Sequence, residues 1–311
     1  MNCAVCTLFE GSYHQGVAVF VNSLVAAGFT GDVHVGFRGT AAPWLKGLKD
    51  LAVTPQVRIR TMPLQTSAHL TNYKPDFMLD LFRVSANNTN AIFYFDPDIV
   101  IDDSWDNFID WVTCGVAVCE DVNSPLAENN PRRVGWRRFL AARGITLRYR
   151  SSCYANGGFV GVQRSDKEFL MLWAKLQEYM WDEIGGAGYV GITGGKSLGR
   201  KTGFGNCFGK TDQDALNAAL EAWPGPVSML NKQAMGFSAG GAILPHALGT
   251  PKPWAKAFVR SALNGRPPTL ADKRFWFYAE GPLRVFSPAT VQMKLISIKL
   301  ASAIGRFVRR G

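Results

Sequence analysis

The chain has no apolar run of the roughly 18 residues that a membrane-spanning helix needs, so a transmembrane anchor is not expected. It has no positively charged start leading into an apolar stretch, so a secretory signal is not expected and the cytoplasm is. No second Cys-x-x-Cys follows Cys3-x-x-Cys6 at zinc spacing. That pair falls in an apolar run that reads as a strand, where residues three apart point to opposite faces. The six cysteines (Cys3, Cys6, Cys114, Cys119, Cys153 and Cys207) therefore read as buried, reduced thiols, in keeping with a cytoplasmic setting. Acids are missing between Arg132 and Arg150, a stretch with seven arginines, and again after Glu280, where six Lys/Arg follow. These gaps concentrate the net charge of +10 into two patches. Patches of this kind suit an anionic partner such as a phosphorylated substrate or acidic lipid, or form a solvated basic face; no nucleic-acid partner is expected. With 47% hydrophobic and 19% charged residues, the composition excludes a disordered chain.

What is present is an alternation of strands and helices. Residues 3–9 read as a buried strand, 17–27 as a helix with Val17, Phe20, Val21 and Leu24 on one face, and 33–37 as a second strand. Further strands are expected at 57–62, 91–95, 115–119 and 158–162, with part of a helix at 76–83. Ser165 reads as the N-cap of a helix whose core stripe is Phe169, Leu172, Trp173, Leu176 and Met180. This order with short connections predicts an α/β fold around a parallel sheet. Residues 185–209 hold ten glycines. The piece Gly191-Ile-Thr-Gly-Gly-Lys-Ser197 misses a P-loop, because Val190 stands where the first glycine belongs, and a loop beside the active site is the better reading.

The run Ala91-Ile-Phe-Tyr-Phe-Asp-Pro-Asp-Ile-Val-Ile101 carries the chemistry. Five apolar residues form a strand, and two carboxylates appear where it ends, the edge at which open α/β sheets bind ligands. A turn at Pro97 brings Asp96 and Asp98 to one side as oxygen ligands for a hard divalent cation. Two enzyme classes remain open on this motif. Asp96-Pro-Asp-Ile-Val100 satisfies the DxDx[TV] pattern of haloacid-dehalogenase-type phosphatases, with Asp96 as nucleophile. The same DxD in a glycosyltransferase of the GT-A fold holds Mn²⁺ or Mg²⁺ against a nucleotide-sugar diphosphate. The phosphatase motif opens its fold, whereas several strands precede this one. A third possibility is a sugar-nucleotide-binding protein without turnover.

Three later segments bear on the choice: Tyr154-Ala-Asn-Gly-Gly-Phe-Val-Gly-Val162, Thr211-Asp-Gln-Asp-Ala-Leu-Asn217 and His246-Ala-Leu-Gly-Thr-Pro-Lys-Pro-Trp254. With DxD, in this order, they resemble glycosyltransferase family 8, the retaining group with glycogenin-like and lipopolysaccharide galactosyl- and glucosyltransferases. The resemblance spans roughly residues 3–255. It implies a Rossmann-like GT-A nucleotide-diphospho-sugar transferase fold, with a mostly parallel, mixed central sheet and a C-terminal helical segment. It implies Asp96, Asp98 and His246 as metal ligands, a set suited to Mn²⁺ with Mg²⁺ as fallback. Asp96 would be shared between metal and ribose. Lys252 would stabilise the leaving diphosphate, and Gly249 would let the backbone approach it. Thr7, Leu8, Phe9 and Tyr13 would hold the base of a UDP-sugar. Asn156, Gly157, Gly158, Asp212 and Gln213 would meet the donor sugar, with Gln213 opposite the attacking acceptor in a front-face displacement. The family's arginine ahead of DxD is replaced here by Tyr73-Lys-Pro75, leaving Lys74, or else Arg83, for its role.

These readings assign 1–255 to a catalytic domain and 256–311 to a basic extension. The expected reaction moves a hexose, glucose or galactose, to a glycan, lipid-linked or sugar-phosphate acceptor chosen by the loops 123–153 and 185–209. Residues 291–310 read as an amphipathic helix with Met293, Ile296, Leu300, Ile304 and Phe307 on one face and Lys299, Arg306 and Arg310 opposite. Such a helix either docks on the protein or lies on the inner, anionic face of a membrane, through 290–311.

Overall fold

The protein is described from a computed structural model, in which residues 1–84, 89–184, 186–188 and 207–308 are described. Most of the glycine-rich stretch singled out above, residue 185 and residues 189–206, lies outside them. Among the described residues, eight strands form one mixed sheet: β1 (Cys3–Glu10), β2 (Gly31–Arg38), β3 (Asp50–Ala52), β4 (Val57–Pro63), β5 (Ala91–Phe95), β6 (Val116–Glu120), β7 (Ala155–Gln163) and β8 (Val227–Leu230). Their order is β3-β4-β2-β1-β5-β7-β6-β8. The pairs β1–β5, β2–β4 and β6–β8 run parallel; β3–β4 and β6–β7 run antiparallel. The expected mostly parallel α/β fold is therefore present. The helices are α1 (His14–Ala26), α2 (Lys74–Val84), α3 (Trp105–Thr113), α4 (Pro131–Ala141), α5 (Lys167–Ile184), α6 (Thr211–Ala222), α7 (Phe258–Leu263), α8 (Leu270–Tyr278) and α9 (Pro288–Phe307).

The chain divides into two compact units, interleaved in sequence. The first comprises 1–8, 64–94 and 108–232; the second comprises 9–63, 95–107 and 233–311, and so includes all of the segment after 255. In the first unit, Trp136 stacks on Tyr154 and Trp111 on Phe159, and these four rings are buried. Arg133 of α4 donates to Glu221 of α6 at 2.6 Å and to the Cys153 carbonyl at 2.7 Å, so this buried guanidinium ties helix to helix. In the second unit, Val19 of α1 packs with Phe258 and Ala262 of α7, Phe275 and Trp276 of α8, and Val291, Ile298 and Ala301 of α9. Asn22 of α1 donates to the carbonyls of Tyr278 and Leu283, satisfying two chain segments with one buried amide.

Several sequence expectations need correction. Ser165 lies inside a short 3₁₀ turn, Arg164–Asp166, and α5 begins after it, so Ser165 is not an N-cap. Leu172 is only half-buried, and Leu170 is buried instead, because the stripe turns with the helix. Cys3, Cys6, Cys119 and Cys207 are buried free thiols, but Cys114 is exposed and Cys153 half-buried. Burial raises the Cys3 and Cys6 thiols above their ordinary value, which disfavours the thiolate a metal or redox site needs. No described helix is long and apolar enough to cross a membrane.

Candidate functional site

Chemistry-bearing side chains gather in two clusters, one in each unit. In the second unit, β5 ends at Phe95 and the chain turns through Asp96, Pro97 and Asp98. The Ile99 amide closes that turn onto the Asp96 carbonyl at 3.0 Å. The segment then pairs with a strip some 150 residues later: Val100 N–H donates to Pro245 O, Asp102 N–H to Ile243 O and Ala247 N–H to Asp98 O, at 2.8–3.2 Å, and Ile99 bridges His246. This backbone pairing delivers His246 to the two acids. One ligand atom from each of Asp96, Asp98 and His246 lies within 4.8 Å of the others.

Asp98 is the electrostatic centre of this cluster. His246 Nε2 stands 3.3 Å from one carboxylate oxygen, and the Lys252 ammonium donates to the other. Burial works to raise the Asp98 carboxyl, yet His246 and then Lys252 hold it well below the usual carboxylate range. Desolvation works to lower Lys252, and Asp98 more than reverses it, so the ammonium stays charged. Lys252 also donates to the Ala247 carbonyl and lies over the Tyr13 ring, which packs T-shaped with Trp254. Burial raises the Tyr13 phenol despite Lys252. Two carboxylates and an imidazole this close together form a donor set of the kind that holds a metal ion, and the His246 Nδ1 atom is buried with no hydrogen-bond partner among the described residues.

Gly16, in the first turn of α1, was not among the expected site residues. A Cβ there would meet the Pro97 carbonyl oxygen at 2.2 Å and the Trp254 ring at 2.9 Å, so only glycine lets the helix lie against the Asp96–Pro97–Asp98 turn. Gly249 has φ of +72°, with open space where a Cβ would be, so its glycine serves the turn between His246 and Lys252. Phe9, assigned to the base, stacks on Phe37 in this unit.

The first unit holds the other cluster. Lys74 is buried; it donates to Asp212 at 2.9 Å and to the Gly157 carbonyl at 2.8 Å, and lies over the Tyr94 ring. Of the two candidates for the missing arginine, Lys74 is thus the one beside Asp212 and Gly157; Arg83 is exposed and pairs with Asp80. Gln213 accepts from Gly157 N–H at 3.2 Å through its carbonyl, while its buried Nε2 has no partner among the described residues. Asn156 donates to Asp121 at 2.6 Å and accepts from Gly158 N–H at 2.8 Å. Thr7 and Leu8 are buried, and the Thr7 hydroxyl also lacks a described partner.

Asp121 escaped sequence reasoning, and Tyr154 and Asp214 entered it only as members of the segments 154–162 and 211–217. Asp121 fastens Asn156 and faces the Lys210 ammonium at 3.7 Å. Asp214 is fully buried and accepts from Tyr154 O–H at 2.6 Å and Lys210 N–H at 2.7 Å, so it offers no free face to a sugar. The only available signal was its place in the run 211–217.

No family model matches the chain, and no curated protein matches it. Among solved structures, the apo form of WbbM, a bifunctional glycosyltransferase, is similar to it with a TM-score of 0.54 and 13% sequence identity. The similarity covers 95% of this chain and 52% of WbbM, so the chain spans about half the length of that protein. At this identity the likeness shows the fold, and the fold is glycosyltransferase-like mixed α/β.

Proposed function

We propose that the protein is a retaining glycosyltransferase that moves a hexose from a UDP-sugar to a glycan, lipid-linked or sugar-phosphate acceptor. The convergence of Asp96, Asp98 and His246 at the end of β5 carries this reading. These three residues would hold Mn²⁺, or Mg²⁺ in its place, which neutralises charge on the donor diphosphate when bound. Lys252, kept charged beside Asp98, is the group that takes up negative charge on the departing nucleoside diphosphate. Tyr13 and Trp254 offer aromatic surface to the base. Lys74 holds Asp212 and the Gly157 carbonyl in place, and the unpaired amide of Gln213 has a donor left for a sugar hydroxyl. With Asp214 enclosed and Asp212 in an ion pair with Lys74, front-face displacement is favoured over a covalent glycosyl-enzyme.

The test is UDP release from UDP-glucose and UDP-galactose with and without Mn²⁺, set beside hydrolysis of p-nitrophenyl phosphate. UDP release that needs Mn²⁺ and falls about 100-fold or more in Asp98→Asn is expected, given what one electrostatic stabiliser contributes. Hydrolysis of the phosphate ester with no UDP release would sink the proposal in favour of a phosphatase. Binding of UDP-sugar without turnover on any acceptor would favour a non-catalytic binder.

A further inference from the structure

Helix α9 has two apolar faces, only one of which is used. It docks on its unit through Val291, Ile298, Ala301 and Gly305, packed against the core of α7 and α8. Met293, Ile296, Leu300 and Phe307 lie roughly opposite at about 100° per residue and are 63%, 50%, 55% and 90% exposed. The single amphipathic face expected from the sequence is therefore not the docking face, and Ile304 sits at its border, half-buried. Lys299 and Arg306 are exposed and run along one edge of the stripe, about a quarter-turn away, rather than standing opposite it.

From this arrangement we propose that α9 is a membrane-surface helix that rests its outer stripe on an anionic bilayer while its inner stripe holds it to the protein. The stripe runs from 293 to 307, a length of about 20 Å along the helix axis, which suits a helix lying in the interface plane. It is a convex ridge. A protein partner would need a matching groove, whereas the headgroup–acyl boundary accepts a ridge without one. Charge selects the lipid: no acid follows Glu280, and Lys299 and Arg306 stand where headgroup phosphates would meet them. The same charges disfavour a second copy, since pairing two such stripes would bring like charges together. The inference rests on packing and charge in this unit and does not depend on the donor chemistry.

The full chain would be sedimented with vesicles of phosphatidylcholine alone and with added phosphatidylglycerol, at low and high salt. Binding to the anionic vesicles, weakened by salt, is expected. Ile296→Ser with Leu300→Ser should reduce it roughly tenfold or more, given the apolar area withdrawn from the bilayer. Lys299→Glu with Arg306→Glu should reduce it by about tenfold or more through lost attraction to the anionic surface. Phe307→Ser, at the most exposed of these positions, gives a third variant that leaves the fold untouched should the serine pair lower the melting temperature. Undiminished binding in all three, or equal binding to neutral vesicles, would overturn the proposal. So would a dimer seen by light scattering that the stripe variants dissolve while the wild type ignores vesicles; the occupant would then be a second copy.

Discussion

Asp214 shows how burial can outweigh charge pairing at a single residue. It faces the Arg132 guanidinium at 3.4 Å, yet its carboxyl is pushed up to about 6 by desolvation, which exceeds the pull of Arg132, Tyr154 and Lys210. Arg132 is partly exposed, so water screens its side of the pair. In the unfolded chain the group titrates near its ordinary value of about 3.9. Below that value both states hold the proton. As pH rises toward 6 the folded state keeps a proton that the unfolded state has released, so stability falls through this window and the loss is complete above it. Asp214→Asn cannot ionise, so its stability should not share that fall. Urea unfolding of both proteins from about pH 4 to pH 7 should show wild type losing up to roughly 3 kcal/mol relative to the variant. A difference that stays constant with pH would mean that Asp214 titrates normally in the fold. The run 211–217 marked this residue as part of a segment but not as buried: an acid in the first turn of a helix reads as an exposed dipole partner, and only the Tyr154 hydroxyl and the Lys210 amide reveal otherwise.

The contact between α1 and the Asp96–Pro97–Asp98 turn is where elements meet to bring Asp96 and Asp98 to His246. Gly16→Ala sets two effects against each other. Alanine improves helix propensity by up to about 1 kcal/mol. Its methyl would overlap a backbone carbonyl that cannot rotate away, and overpacking of this kind costs roughly 1–3 kcal/mol. The steric term should win: thermal unfolding should show a net loss, and calorimetry should show weaker Mn²⁺ binding as the turn shifts. A more stable variant with unchanged Mn²⁺ affinity would mean that the close approach does not constrain the turn. Legibility followed the same division between local and distant effects. Strand β5 was readable from five apolar residues ending at Asp96, and the strand–helix alternation from periodicity. The edge strand β3 was not, because its three residues are not buried and owe their conformation to pairing with β4. Asp96 and Asp98 could be picked out locally, but nothing near His246 marks it, since its place depends on backbone bonds to residues 98–102. Its nomination rested on resemblance alone.

For the whole molecule, the charge of +10 overstated the free anion-binding surface. Five of the seven arginines in 132–150 are engaged within the fold: Arg132 with Asp214, Arg133 with Glu221, Arg137 with Glu128, Arg143 with the Phe139 ring and carbonyl, and Arg150 with the carbonyls of Trp223 and Gly225. Lys252 is different, being held by the carboxylate that a metal would also use. On the proposed reading this sets a competition visible in the stability of the whole chain. A cation bound by Asp98 meets repulsion from the Lys252 ammonium, which only a diphosphate relieves by pairing with both. Mn²⁺ alone should therefore stabilise the protein weakly, and Mn²⁺ with UDP much more, by about 2.7 kcal/mol at a hundred times the dissociation constant. Lys252→Met removes the repulsion and the diphosphate contact together, so the shift with Mn²⁺ alone should grow while the increment from UDP shrinks. His246→Ala should lose both shifts. Melting curves of the three proteins with EDTA, Mn²⁺, and Mn²⁺ plus UDP measure each increment against its own baseline, which matters because Lys252→Met leaves Asp98 buried with one partner fewer. If UDP stabilised Lys252→Met as strongly as wild type, Lys252 would have no part in holding the diphosphate, and its pairing with Asp98 would be structural.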